Sequence, residues 1–387
     1  MTFVCAAILV VSHWTPAGLI THAAYNSVFT VHGALVAMLF PALVLFLSEF
    51  GEAPPVWRPR WLPVAAWLAL GLEALIVSAT LVSSSLSGSG DEDLVSGQWV
   101  GIAIIAPCFL VALSVLLRLQ ATLRARDLAL SFAGVVQALG LGLSLPFAFA
   151  PALDPLAHPE LFSLGHVFTG WVVEATALAA VTAALGEPNG RRGPIMAVVL
   201  LALAAVVPRE SLAKLLAVLA ATVSAGWLLV LSLKRRPVPR AAGESAFAAL
   251  AALCFLEATG FEQFLCLMSS EIHLHDTYFV VGLFHLRVTT CLSAALAAVY
   301  RHRTANERRW FIGSAGLLAL VGSQIMGFAM LLVGSRGMPR RYFNYLPEFQ
   351  AWHQVIAIGG FLLMLGVVIG LSGALRAKSR TIPRLPA

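Results

Sequence analysis

The sequence has few charged residues. Only 11% of its 387 residues are charged, whereas 59% are hydrophobic, and the mean hydropathy is +0.87. A soluble domain needs more polar surface than this composition supplies, so we exclude the soluble classes and predict a polytopic membrane protein. The net charge of +6 lies in the loops, where it reflects membrane orientation and gives no indication of nucleic-acid binding.

Cysteine pairs and low-complexity tracts are also missing. The five cysteines form no CxxC motif and lie in or beside apolar runs, which is typical of packing residues. The first stretch, "MTFVCAAILVVSHW", lacks a basic segment and a small-residue cleavage site, which favours a short first helix over a signal peptide. The one linker is "SSSLSGSGDEDLVSGQ", so we predict a single transmembrane domain over residues 1–387.

Long apolar runs fill the rest of the chain, and most reach the ~20 residues that a membrane-spanning helix needs. They predict an all-α bundle of about twelve transmembrane helices, or ten if the two shortest runs do not span. The runs fall near 3–14, 29–49, 61–83, 98–118, 127–150, 160–186, 194–207, 211–233, 244–268, 278–300, 310–334 and 349–374.

The basic residues orient this bundle. If there are twelve helices, most of the 25 Lys and Arg residues fall in alternate loops, which places those loops and both termini in the cytoplasm. One outer loop, "GSRGMPRRYFNY", breaks the rule with Arg336, Arg340 and Arg341. Three arginines on the outer side indicate an anionic group nearby.

Two histidines lie inside apolar runs at similar depth. From the rise of a helix, His32 lies about 9 Å and His285 about 13 Å below the outer surface. Either residue alone is equally compatible with a buried, hydrogen-bonded histidine. Two facing imidazoles beneath Arg340 and Arg341, however, favour a six-coordinate haem whose propionates bind the guanidinium groups.

Three segments resemble haem–copper oxidase subunit I, the catalytic subunit of cytochrome c oxidase. "HDTYFVVGLFH" resembles that family's tenth-helix signature, "YNSVFTVHG" the start of its second helix, and "GMPRRYFNY" its loop between helices eleven and twelve. The clearest similarity covers 23–50, 268–290 and 320–365. The resemblance implies twelve helices in one bundle, and one low-spin haem of a or b type bound by His32 and His285, with its propionates on Arg340 and Arg341.

The same resemblance places His275 and Asp276 beside a magnesium site of the family. Asp276 and Thr277 also precede an apolar run, and both residue types cap helices well. A helix cap and a magnesium site therefore remain equally weighted interpretations, and both can hold.

The oxygen-reducing site of the family departs from its pattern here. The histidine that ligates the oxygen-binding haem is replaced by Leu283, and the chain has no His-His pair for copper. The resemblance therefore implies a degenerate site, without copper. "AHPELF" resembles the family's sixth-helix motif, with His158 as copper ligand and Glu160 as proton donor. We favour the alternative that His158 is a loop residue before a helix that starts at a proline.

Arg287 follows Leu283 by one helical turn and points about 160° away from His285. An unpaired guanidinium inside a membrane is costly, so we predict a carboxylate partner. The candidates are Glu257, Glu174 and Glu73. The alternative is that Arg287 binds an anionic ligand or a propionate. His353 follows Trp352 near the outer end of the last run, where a place in the aromatic belt accounts for it.

Three functions compete. The first is a subunit I-like membrane haem protein that transfers electrons through one bis-histidine haem. The second is a working terminal oxidase, which oxidises cytochrome c and reduces oxygen with unusual ligands. The third is a haem-free structural, assembly or transport protein. For the first we expect membrane lipid and oxidase-type or cytochrome subunits as partners, no nucleic acid, and a place in a bacterial cytoplasmic membrane.

Overall fold

The computed structural model describes part of the chain, and that part is almost entirely helical. The helices are α1 (Thr2–Ser12), α2 (Ala242–Leu267), α3 (Tyr278–Arg301), α4 (Arg309–Ser335) and α5 (Gln350–Arg376), with a 3-10 turn over Pro347–Phe349. Tyr25, Val28, Phe29 and His32 are also helical, and their spacing places them on one helix face. The described residues are 2–12, 14, 25, 28–29, 32, 177, 242–267, 274, 277–301, 309–340 and 345–376.

Four helices in this part are long and apolar enough to cross a membrane. Their candidate spans are Gly243–Glu262, Tyr278–Ala297, Gly313–Ser335 and Pro347–Gly373. The four last predicted runs end within two residues of helices α2 to α5, so the all-α membrane class is confirmed for this region. The predicted runs from 61–83 to 211–233, and most of 29–49, lie outside the described residues. The count of twelve and the single domain therefore stay predictions.

The four long helices pack in a continuous series. Helix α2 packs along α3, α3 along α4, and α4 along α5, while the short α1 rests against α5. Aromatic and methionine side chains fill the space between them, and Phe247, Tyr300, Leu286 and Met338 are among the most deeply buried. Phe247 and Tyr300 stack at 5.9 Å, and the Tyr300 hydroxyl donates to the carbonyl of Gly370. This joins α2, α3 and α5 at one end of the group.

Glycines allow α4 and α5 to approach until their backbones touch. A Cβ atom at Gly322 would overlap the Leu363 nitrogen, and one at Gly359 would lie 2.5 Å from the Met326 nitrogen. Membrane helices gain much of their attraction from such close contact, because lipid provides no hydrophobic driving force between them. The α4–α5 contact therefore depends on residues without a side chain.

We expect Gly322→Ala to lower the free energy of unfolding by about 1–3 kcal/mol, because the added methyl group forces the two helices apart. Unfolding of the purified protein in mixed micelles, titrated with a denaturing detergent, measures this change. Gly313→Ala on the same helix is the matched control, since its Cβ would meet nothing within 4 Å. Equal losses for both variants would contradict the close-contact explanation.

A tight turn after α4 brings two connections together. Gly337 has a φ of +86°, and Met338 donates to the Val333 carbonyl while Gly337 donates to the Gly334 carbonyl. These bonds form a Schellman motif, which ends a helix on a left-handed glycine. The chain then pairs with the start of α3, through an isolated bridge of Thr277 with Pro339 and a bond from the Tyr278 nitrogen to the Met338 carbonyl.

Thr277 caps α3. Its hydroxyl accepts a hydrogen bond from the Phe279 nitrogen at 3.2 Å and donates one to the Leu274 carbonyl at 2.8 Å. Thr277 therefore caps this helix, whereas His275 and Asp276, for which a capping role was predicted, lie outside the described residues. The cap fixes where α3 begins, and with it the depth of every side chain along that helix.

Candidate functional site

The structure brings His32 and His285 together from two different helices. Their ring centroids are 6.1 Å apart and their planes differ by 25°. His32 continues the helix face of Tyr25, Val28 and Phe29, and His285 lies two turns into α3. The two imidazoles therefore face each other across a gap between these helices.

The local backbone of α3 orients the His285 ring. Its Nδ1 atom lies 2.8 Å from the Val281 carbonyl, one turn earlier in the same helix. A carbonyl accepts a hydrogen bond, so Nδ1 carries the proton and Nε2 keeps its lone pair. This is the tautomer that a metal-binding imidazole needs, held by the kind of partner that metal-binding histidines use.

A cavity of about 160 Å³ adjoins both histidines. Most of its wall is apolar and comes from α1, α3, α4 and α5, including Leu9, Val288, Met330 and Ile356. The polar side chains in the wall are few, and they belong to Tyr25, His32, Tyr278, His285, Thr289 and His353. An apolar pocket with a few placed polar groups is typical of a cofactor site.

The spacing of the histidine pair fits one metal ion between the rings. Two imidazoles that bind a metal from opposite sides, each through a nitrogen about 2.0 Å away, have ring centroids roughly 6 Å apart. The observed separation is 6.1 Å. The apolar wall also suits a flat hydrophobic macrocycle, so the residues present are compatible with a bis-histidine haem.

His353 is a third histidine in this wall, and the aromatic-belt prediction for it is wrong. Its side chain is 2% exposed and lies inside the bundle, not at the lipid boundary. Tyr278 meets it edge-on with centroids 5.2 Å apart, and Tyr345 packs on its face at 4.1 Å. Burial raises the pKa of the Tyr345 phenol, which therefore stays neutral.

Of the predicted anion-binding arginines, the structure describes Arg340. It follows the Thr277–Pro339 bridge directly and is half-buried, so it lies close to the start of α3. Arg336, on the preceding turn, rests over the ring of Trp352 at 5.1 Å in a cation–π contact. The other predicted residues of this region, Arg341, His275 and Asp276, lie outside the described residues, as do His158 and Glu160.

Leu283 and Arg287 lie on the side of α3 away from the histidine cavity. Leu283 is buried in the core, and the Arg287 guanidinium binds the carboxylate of Glu262 on α2. A carboxylate partner for Arg287 is therefore confirmed. Glu257 as that partner is wrong, because the structure places Glu262 there, while Glu174 and Glu73 lie outside the described residues.

Glu257 has a different partner. It accepts a hydrogen bond of 2.9 Å from the side-chain amide of Gln324 on α4. One turn earlier on α2, the Cys254 thiol lies 3.8 Å from the Ser323 hydroxyl. Sequence analysis did not single out Gln324 or Glu262, although a polar residue inside an apolar run was the available signal for both.

Among the described residues, no three His, Cys, Asp or Glu side chains are grouped to hold a metal ion. A haem needs only the two axial ligands, so the histidine pair is the feature of this part that suits an iron porphyrin.

Comparison with known proteins agrees with these features. The family model "Cytochrome C and Quinol oxidase polypeptide I" matches residues 195–362, a range that includes His285, Arg340 and His353. Cytochrome c oxidase polypeptide 1 of Halobacterium salinarum is 37% identical over 120 residues. Residues 195–362 of this chain are therefore similar to haem–copper oxidase subunit I. An integral membrane location agrees with the four apolar helices that are long enough to cross a membrane.

The similarity to individual subunit I proteins covers a limited part of each. The Halobacterium salinarum match covers 28% of this chain and 19% of the relative. Cytochrome c oxidase subunit 1 of Cereibacter sphaeroides is 32% identical over 99 residues, covering 24% of this chain and 18% of its own. That of Tetrahymena pyriformis is 28% identical over 121 residues, covering 30% and 17%. The matched segments thus span less than a fifth of these relatives.

Proposed function

We propose that this chain is a subunit I-like membrane haem protein that holds one low-spin haem, of a or b type, between His32 and His285. The separation of 6.1 Å between the two rings is the observation that carries the proposal. Arg340 and Arg341 are the proposed partners of the propionates, since guanidinium groups pair strongly with carboxylates. Val281 supports the assignment, because its carbonyl holds His285 in the ligating tautomer.

With two histidine ligands, haem iron has no open coordination site and supplies one-electron transfer. The role of the protein is to bind the haem and to separate it from water. The wall formed by α1, α3, α4 and α5 is mostly apolar and would keep water away from a bound haem. Exclusion of water lowers the local dielectric, which is one of the means by which a protein sets a redox potential.

We further propose that the oxygen-reducing site of the family is degenerate in this chain. The Leu283 side chain has no lone pair to donate to iron. One turn further along α3, Arg287 forms an ion pair with Glu262. Copper is not expected, and His158 is assigned to a loop before a helix that starts at a proline. Electron transfer, and not oxygen reduction, is then the function that the described side chains support.

The proposal also includes the membrane topology, the partners and a magnesium site. The chain forms one bundle of about twelve helices in a bacterial cytoplasmic membrane, with both termini in the cytoplasm. Its partners are lipid and other oxidase-type or cytochrome subunits, which deliver and accept electrons. Magnesium at His275 and Asp276 belongs to the same proposal.

The test is a reduced-minus-oxidised spectrum of the purified protein with a haem and metal count. We expect one six-coordinate haem per chain, no copper, and no spectral change when carbon monoxide is added, because both axial positions are filled. A carbon monoxide-sensitive haem with copper would instead identify a terminal oxidase. Protein free of haem, purified from cells that supply it, would favour a structural or transport role.

A further inference from the structure

Helix α2 carries three carboxyl groups within its candidate span: Glu244 lies in the first turn, and Glu257 and Glu262 lie further along. The last two have different surroundings. Glu257 and Glu262 are five residues apart, which is about 7.5 Å along the helix axis. Glu262 binds the guanidinium group of Arg287. Glu257 binds the neutral side-chain amide of Gln324. The same helix therefore presents one acid paired with a cation and one acid paired with an amide.

These partners favour opposite protonation states. A guanidinium group stabilises a carboxylate, so Glu262 is held as an anion. An amide stabilises it far less, because the Gln324 side chain donates a dipole and not a charge. A carboxylate within an apolar span without a cationic partner is costly and takes up a proton instead.

Glu257 also borders the face of α2 that the described structure leaves exposed. Leu253, one turn earlier, is 39% exposed. Gly260, one turn later, is also exposed, and a Cβ atom added there would meet nothing within 4 Å. Glu257 itself is half-buried between this face and α4. In a membrane-spanning helix, this places its carboxyl group at the boundary with lipid.

We propose that Glu257 is a proton-binding site at the lipid boundary, occupied by a proton while Glu262 stays ionised. The polar side chains beside it are Gln324 on α4 and Cys254 on α2, and the Cys254 thiol in turn contacts the Ser323 hydroxyl. The cation of α3, Arg287, is bound by Glu262.

This site is independent of the haem proposal, because none of its residues lines the histidine cavity. Its ligand is the proton, which a carboxylate binds reversibly. Because Glu257 and Glu262 lie on the same helix, the reactivity of one can be compared directly with that of the other.

A lipid-soluble carbodiimide tests the proposal. Dicyclohexylcarbodiimide reacts with a protonated carboxyl group from the membrane phase. The acid proton passes to a carbodiimide nitrogen, the carboxylate oxygen bonds to the central carbon, and an acyl shift to nitrogen gives a stable N-acylurea from which nothing leaves. The full-length chain is treated in its native membrane, and peptide mass spectrometry locates the adduct.

A protonated acid reacts with the carbodiimide and a carboxylate paired with a guanidinium group does not, so we expect at least about ten times more label on Glu257 than on Glu262. The label on Glu257 should fall as the pH is raised, and Glu257→Gln should remove it from that peptide. Equal labelling of the two acids, preferential labelling of Glu262, or an unlabelled Glu257 would each overturn the proposal. The comparison of label on Glu257 and Glu262 uses the unaltered chain, so it remains valid even if the Glu257→Gln variant does not accumulate in cells.

Discussion

Replacement of His285 by alanine is expected to abolish the haem absorption bands of the purified protein, and replacement of His32 should do the same. Each histidine would supply one of the two iron ligands of the proposed site, and most of the surrounding wall is apolar. We expect at least about a tenfold loss of bound haem, because loss of a ligand removes more than the 1.4 kcal/mol to which a tenfold change corresponds. Pyridine haemochrome analysis gives the haem count directly.

His353→Asn is the matched control for this experiment. It changes a histidine in the same cavity wall, but its ring is packed between Tyr278 and Tyr345. We expect this variant to keep its haem, as His158→Ala should. Added imidazole should restore the spectrum of a His285→Gly variant, since the free ring can occupy the space left by the side chain. Haem retained in both His32 and His285 variants would refute the assignment.

The sequence predicted the long helices well because membrane spans are specified by simple quantities. Uninterrupted apolar runs of about 20 residues leave few alternatives in a bilayer, and α2 to α5 end within two residues of the predicted runs. The turn after α4 was harder to foresee. Its Schellman geometry at Gly337, and the bridge from Pro339 to Thr277, depend on how two helices meet and not on hydropathy.

The position of His353 shows where sequence reasoning about the site fails. Its place near the start of a run gives its depth but not the direction in which the helix turns it. That direction is set by the contact of α5 with α4, where Gly359 and Gly366 face the α4 backbone. The resulting rotation carries His353 to the cavity together with Ile356 and Gly360. Hydropathy contains no information about this rotation.

The partner of Arg287 was missed for a different reason. Helical side chains lean toward the N-terminus of their own helix. Because α2 and α3 are consecutive and run in opposite directions, Arg287 leans toward the connection between them, whereas a glutamate on α2 leans away from it. The carboxylate that Arg287 meets therefore comes from a residue nearer that connection, and Glu262 is one turn closer to it than Glu257.

The Glu262–Arg287 pair gives the second large expected effect, a loss of stability when one partner is removed. Breaking a fully buried ion pair costs about 3–5 kcal/mol, because the remaining charge has no compensation. Arg287 and Glu262 have side-chain exposures of 14% and 35%. We therefore expect a smaller loss, about 2 kcal/mol, for Glu262→Gln. Detergent-titrated unfolding in mixed micelles measures it.

Two further variants separate the charge from the packing. In Glu262→Leu with Arg287→Leu, both charges are gone and no ion is left behind, so stability should return close to that of the parent chain. Glu257→Gln is the isosteric control on the same helix, and it should change the free energy of unfolding by less than about 0.5 kcal/mol, because an amide replaces a neutral acid.

Two outcomes would contradict this explanation. If Glu257→Gln and Glu262→Gln destabilise the protein equally, the two acids do not differ in charge as their partners indicate. If the double variant is no more stable than Glu262→Gln, the loss comes from packing between α2 and α3, and the ion pair is not its cause.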